Sequence, residues 1–410
     1  MTELSTQEGE SLSGGFLPEL AKLINPVSVD DFISHYWEQE PLLVNRNDPS
    51  YYSDLLTLDG IDHVLSLAGV KLDAVRVVVE GKETPVSELG TGRGRNGGIN
   101  SLETLYERYR NGSTIVVNSL QDRFEPLRRL ATRLGGEMST RLQMNIYLTP
   151  PGAQGFAAHY DTHDVFVAQV HGSKVWRLAG APHDLPLASM PHDKSQPAPD
   201  PLQEIDLRSG DLLYLPRGTI HSATANETAS LHVTIGIHPV LWAQAIEDAV
   251  AGVLAKDVRF RRALPIGFTH DEQACAGMEE TLAELVDALH EQLSPRAMVG
   301  DALDRAVSIS APALRGHLLD LEELPGISLD TKVRRRNDLE WRLIIDETNV
   351  GLHFFNKAVQ FPADVADEVR YATGQGTGWF TARSVPGELD EPGRMTLVQT
   401  LLREGFLTLR

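Results

Sequence analysis

A chain of 410 residues is longer than one ordinary core organises, and at roughly 100–200 residues per domain it predicts two to four units. With 41% apolar and 23% charged residues the composition is that of a folded globular protein, which excludes a disordered or collagen-like chain. The formal charge of −20 argues against a protein built to grip phosphate backbones and suits a basic partner, and the single cysteine, Cys275, excludes an internal disulfide or a thiolate zinc cluster. Any metal must therefore rest on His and carboxylate.

In chain order, residues 1–15 are polar and acidic and read as a frayed tail with no secretory apolar stretch. No later run reaches the roughly 20 apolar residues that span a bilayer, so a cytoplasmic protein without membrane contact is expected. Leu20, Leu23, Ile24, Phe32, Ile33 and Trp37 predict short helices, and Pro41-Leu42-Leu43-Val44 a strand entered after a proline. A helix near 61–67 and a β-rich 74–80 follow. Residues 90–98, with Arg93 and Arg95 among many glycines, read as a mobile surface loop.

From Met144 the character changes to short β-branched runs between Gly, Pro and Asn. Segments 144–148, 164–170, 174–178, 211–215, 221–224 and 230–237 each predict a strand, His171-Gly172-Ser173 a hairpin turn, and 181–201 a long excursion on one rim. Short antiparallel strands closed by tight turns indicate a barrel or sandwich and not a doubly wound sheet. Beyond Leu241 the pattern is helical over 242–254, 279–293 and 296–318. The last part mixes strands at 341–345 and 352–355 with helices at 363–371 and 395–403, the order of a winged helix. Residues 331–410 hold 11 basic and 11 acidic side chains, too neutral for a DNA-binding module.

The chemistry concentrates in Gly155-Phe156-Ala157-Ala158-His159-Tyr160-Asp161. In extended backbone, residues i and i+2 point to one side, so His159 and Asp161 can face one ion. A second histidine follows 62 residues later, where the Pro216-Arg217-Gly218 turn feeds a new strand at His221. Two imidazoles and one carboxylate are the facial set that leaves positions open on Fe(II). An isolated His-x-Asp is weak evidence; Lys174, opening the strand after the hairpin turn, adds the cation that would anchor the distal carboxylate of a small dicarboxylate, whereas by itself it reads as an exposed hairpin lysine.

The stretches Asn145-Ile146-Tyr147-Leu148-Thr149-Pro150-Pro151-Gly152, His159-Tyr160-Asp161, Val165-Phe166-Val167-Ala168-Gln169-Val170, Gly172-Ser173-Lys174-Val175-Trp176-Arg177-Leu178, the run from Gly210 to His221, and Ser230-Leu231-His232-Val233-Thr234 together resemble the JmjC ribosomal oxygenases. Tyr36-Trp37-Glu38-Gln39-Glu40-Pro41-Leu42-Leu43 resembles the family's motif ahead of the barrel. The resemblance implies a double-stranded β-helix (a cupin-like jelly roll, mainly β) with a helical dimerisation region and a C-terminal winged helix. The implied boundaries are a tail over 1–15, a catalytic domain over 16–240, the helical region over 241–325 and the winged helix over 326–410. It implies Fe(II) on His159, Asp161 and His221, the distal carboxylate of the cosubstrate 2-oxoglutarate on Lys174, and Asn145 and Tyr147 lining the cosubstrate pocket. The implied activity is hydroxylation of a side chain, with a basic ribosomal protein as substrate and a homodimer as the assembly.

His163 departs from the family's usual apolar or acidic residue. In an unbroken strand it would share a face with the ligands, as a rival to Asp161 or a substrate contact, but it reads more simply as a solvated imidazole or one lying behind them. His232 faces into or out of the barrel depending on register and reads as packed or lying behind the ligands, with contact to the cosubstrate as the alternative. His171, His183 and His192 read as solvated, and Tyr160 and Trp176 as core aromatics. Two other functions fit the same residues: a hydroxylase of a peptide or small molecule, and a non-catalytic cupin-like binding module.

Overall fold

The computed structural model describes residues 17–67, 75–84, 102–190, 200, 203–270, 272–309, 314–376 and 378–410. The tail expected at 1–15 and the glycine-rich loop at 90–98 lie outside these residues, as does much of the rim excursion. The described chain divides into two compact units, one ending at Pro239 and the other beginning at Val240.

In the first unit, α1 (Pro18–Ile24) and α2 (Val29–Asp31) precede β1 (Leu42–Val44), α3 (Leu58–Leu67), β2 (Val75–Val79), β3 (Lys82–Glu83), α4 (Leu102–Arg110), β4 (Thr114–Val117) and α5 (Glu125–Glu137). The barrel strands follow: β5 (Arg141–Thr149), β6 (Asp164–His171), β7 (Ser173–Ala179), β8 (Gln203–Arg208), β9 (Leu212–Leu215), β10 (Ile220–Ala225) and β11 (Ser230–His238). An eight-stranded sheet runs β1-β9-β6-β11-β5-β4-β2-β3, and a three-stranded sheet runs β10-β7-β8. Every strand pair in both is antiparallel. This is the double-stranded β-helix of a jelly roll.

The residue pattern explains which strands are central. In β6, Val165 and Val167 join a core with Trp176, Leu178, Ile205 and Leu207 of the small sheet, while Phe166 and Ala168 join the core beneath the helices. In β9, Leu213 and Leu215 face the first core and Leu212 and Tyr214 the second. A strand buried on both faces must be apolar throughout, hence the unbroken Val-Phe-Val-Ala and Leu-Leu-Tyr-Leu. The small sheet is covered on one face only, and β7 accordingly alternates, burying Lys174, Trp176 and Leu178 between half-exposed Ser173, Val175 and Arg177. The expected hairpin turn is present: Gly172 sits at φ 65° between β6 and β7, a left-handed conformation that glycine adopts without strain.

The second unit opens with α6 (Trp242–Lys256), α7 (Glu272–Gln292), α8 (Pro295–Ile309) and α9 (His317–Glu323). The helix expected over 296–318 is two helices, the second starting after Gly316 at φ 84°. Strands β12 (Lys332–Arg335), β13 (Trp341–Ile345), β14 (Asn349–Phe354) and β15 (Lys357–Pro362) come next. Then follow α10 (Ala366–Gly374), β16 (Phe380–Thr381), α11 (Glu391–Arg403) and β17 (Leu407–Thr408). β13-β14-β15 form one antiparallel sheet and β16-β12-β17 another, around a core that includes Val350, Leu352, Phe354, Leu401 and Phe406.

Candidate metal centre

His159 lies between β5 and β6 in a bridge with His221, the second residue of β10. Each donates its backbone N–H to the other's carbonyl, so the two imidazoles leave directly opposed backbone positions and their rings stand 4.6 Å apart. Asp161, two residues on, turns to the same side, and its Oδ2 is 3.8 Å from His221 Nε2. One donor atom from each of the three lies within 4.8 Å of the others.

The donor chemistry fits a divalent cation. His159 Nδ1 donates to the carbonyl of Ala157 at 2.8 Å and His221 Nδ1 to that of Thr219 at 2.9 Å. A carbonyl can only accept, so each Nδ1 carries the proton and each Nε2 keeps its lone pair for an ion. Burial, reinforced by His159, pushes the His221 imidazole down to about 4, leaving it neutral near pH 7. Burial alone would push the Asp161 carboxyl up, but the imidazoles of His221, His163, His159 and His238 outweigh it and hold it below its ordinary value. Two imidazole nitrogens and a carboxylate are a donor set that a divalent first-row ion takes up.

These groups open into a cavity of about 450 Å³ between the two sheets. Lys174 enters it from β7 with 1% of its surface exposed, and burial pushes its ammonium down to about 7. Among the described residues no carboxylate pairs with it. The reading of Lys174 as an exposed hairpin lysine therefore fails: on the alternating strand its side chain takes the inward position. Asn145 and Tyr147 share the cavity face of β5, opposite Thr234 and His232 of β11. Asn145 Oδ1 accepts from the backbone N–H of Ser119 at 3.0 Å. The Tyr147 ring stacks on His232 at 4.8 Å, and burial followed by the Asp161 charge pushes its phenol up.

His163 does not join the triad. The chain bends at Thr162 and His163, which ends the i, i+2 alternation. Its ring stacks on His238 at 4.5 Å, and a Cβ on Gly236 would come within 2.8 Å of its Nε2. His232, read from sequence as packed, lines the cavity between Tyr147 and Trp176 with 2% exposure. Burial, then Lys174, hold its imidazole well below the usual value. The pairing of β11 with β5 decides this, and the sequence by itself does not fix that register.

Arg217 is not singled out by the sequence patterns. With 7% exposure it ties Glu38, ahead of β1, to Asp164, the first residue of β6. A charged residue inside the run from Leu212 to Gly218, buried throughout, is the signal that points to it.

Residues 120–245 match the JmjC domain family. The bifunctional lysine-specific demethylase and histidyl-hydroxylase NO66 of Drosophila grimshawi is 33% identical over 260 residues, which cover 61% of this chain and 35% of that protein. Ribosomal oxygenase 1 of Gallus gallus is 27% identical, covering 94% of this chain and 71% of that protein. The chain spans 35–46% of the length of the first three curated relatives it matches. Among solved structures, an X-ray structure of Escherichia coli YcfD aligns with a TM-score of 0.52 at 18% identity, covering 92% of this chain and 97% of that one. At that identity the likeness speaks to fold alone.

Proposed function

We propose that the chain is a member of the JmjC family that includes the ribosomal oxygenases, and that it is an Fe(II)- and 2-oxoglutarate-dependent hydroxylase of a protein side chain, with a ribosomal protein as substrate. One observation carries the reading: a two-His, one-carboxylate cluster shares a cavity with a buried, unneutralised ammonium. A metal-binding module needs the cluster and not the ammonium. A dicarboxylate cosubstrate needs both.

In this reading His159, Asp161 and His221 hold the iron, which supplies the activation of oxygen and the coupled conversion of 2-oxoglutarate to succinate and carbon dioxide that leave a hydroxyl on the substrate. Lys174 neutralises the distal carboxylate, an interaction strengthened by the dry surroundings that depress its own basicity. Asn145 and Tyr147 line the cosubstrate's side of the cavity. Tyr147, kept protonated by burial, is a donor at any physiological pH. The Ala157 and Thr219 carbonyls fix both imidazoles in the ligating tautomer.

The same reading takes 16–240 as the catalytic domain, 241–325 as a helical dimerisation region and 326–410 as a winged-helix domain without a DNA-binding role. The dimer is supported by apolar side chains left on α6, α7 and α9: Trp242 is 85% exposed, and Ile246, Leu282, Val286 and Leu318 are exposed with it. A basic ribosomal protein would suit the net charge of −20. Among the described residues no helix is long and apolar enough to cross a membrane, in keeping with the proposed cytoplasmic location.

The deciding experiment supplies Fe(II), oxygen and 2-oxoglutarate, and compares succinate release with ribosomal proteins against release with free peptides and metabolites. Gain of one oxygen atom on a single ribosomal protein supports the proposal. Turnover confined to small substrates makes it a biosynthetic hydroxylase, and iron uptake without any succinate makes it a binding module.

A further inference from the structure

The motif ahead of the barrel and the turn before His221 meet in one buried network. Arg217 Nη1 donates to Asp164 Oδ2 at 2.8 Å and also to Glu38 Oε1. Asp164 Oδ1 accepts from the Tyr214 hydroxyl at 2.9 Å and from the Arg217 backbone N–H at 3.3 Å. The Tyr214 hydroxyl in turn accepts from the Glu38 N–H at 2.9 Å. Trp37 stacks over the Tyr214 ring at 6.1 Å, and Phe32 meets it edge-on at 5.0 Å. Beside this network, Gly218, next to Arg217, donates its N–H to the Asp161 carbonyl at 2.9 Å.

The placement is informative. Asp164 follows Asp161 by three residues, and Arg217 precedes His221 by four. The ion pair thus joins the two chain segments that supply the triad, outside the cavity, and Glu38 closes it from a third segment. A buried ion pair is a poor stability device, since well-packed apolar groups of equal volume do as well or better. What it adds is a defined geometry at one spot.

We propose that Glu38, Arg217 and Asp164 are positioning residues, which set the distance between the Asp161-bearing and His221-bearing segments and so the affinity and geometry of the metal site. The proposal rests on the reading of His159, Asp161 and His221 as ligands. It also accounts for the Trp37-Glu38 motif, which braces the turn that feeds β10, far along the chain.

Cobalt(II), whose visible absorption reports ligand geometry, is the probe. The full chain and its Arg217→Gln, Asp164→Asn and Glu38→Ala variants are titrated with it, and their thermal unfolding is followed without metal. Removing partners that orient ligands costs about 10- to 100-fold in metal affinity, the loss expected for Arg217→Gln and Asp164→Asn together with an altered absorption band. Glu38, a third exposed at its side chain, is the safest to change, and its variant shifts in the same direction by several-fold. Should the buried variants fail to fold, Glu38→Ala decides. A dissociation constant within twofold of the parent and a superimposable spectrum, whatever the melting temperature, overturn the positioning role. Absence of cobalt uptake by the unaltered chain overturns the ligand assignment itself, and the network's role with it.

Discussion

His159 and His221 are paired through their backbones: His159 N–H donates to the His221 carbonyl at 3.1 Å and His221 N–H to the His159 carbonyl at 2.8 Å. Two residues 62 apart in sequence are thus linked directly through main-chain groups. Asp161 is the member of the triad outside this bridge. Replacing it with Ala should take succinate release to background while the bridge, and with it the fold around β10, persists. Full turnover in Asp161→Ala, measured with a matched circular dichroism spectrum, would refute its role as ligand.

With Lys174 as the proposed partner of the distal carboxylate, cosubstrate binding should respond to pH. Without a counter-charge its ammonium titrates at about 7, whereas a bound carboxylate favours the charged form and raises that value. Below pH 7 both states are protonated and affinity is flat. Above it the free side chain is neutral, binding must take up a proton, and the dissociation constant for 2-oxoglutarate rises by up to about tenfold per pH unit until the bound-state value is reached. Lys174→Arg, always charged, should flatten the profile, and Lys174→Met should weaken binding by about 2 kcal/mol or more, roughly 30-fold. Calorimetric titration from pH 6 to 9 reads all three; a level profile in the parent chain contradicts the assignment.

His163 stacks on His238 and is not one of the three groups whose donor atoms converge. His163→Ala should keep one bound iron or cobalt per chain, whereas His159→Ala should lose it. Elemental analysis after desalting distinguishes the two, and a loss of stoichiometry in His163→Ala would make it a ligand.

Gly172 has no room for a side chain: at φ 65°, a Cβ there would lie 2.0 Å from the Ala229 carbonyl oxygen. Gly172→Ala should cost about 2 kcal/mol or more of stability, from backbone strain and the displaced β11 approach together. Because this turn precedes Lys174 by two residues, cosubstrate affinity should fall with it. Urea unfolding measures the first effect; a midpoint equal to that of the parent would show that the turn relaxes freely.

Local patterns carry much of this architecture. The unbroken apolar runs of β6 and β9 and the alternation in β7 are direct consequences of burial on two faces or one, and so are readable from the sequence. The triad is readable because His-x-Asp needs only extended backbone at two positions, and the same reasoning fails at His163 because a bend intervenes after Asp161. β8 escapes it although Ile205 and Leu207 alternate with polar neighbours, since it lies close behind the proline-rich rim. What stays hidden depends on contacts between distant segments: the inward face of His232, set by its pairing with Tyr147, and the Glu38, Arg217 and Asp164 network, which spans 179 residues.

Because β10 and β7 pair with His221 opposite Leu178 and Ala225 opposite Lys174, four residues along the ladder separate the ligand from the ammonium, about 13 Å between backbone positions at roughly 3.3 Å per residue. On the proposed assignment of the triad and Lys174, that spacing would act as a ruler for the diacid. Sliding the hairpin by one side-chain period would move the ammonium by roughly 7 Å. A taste for a shorter or longer acid would therefore have to be acquired through the loops that set strand register, and exchange of cavity side chains alone would not supply it.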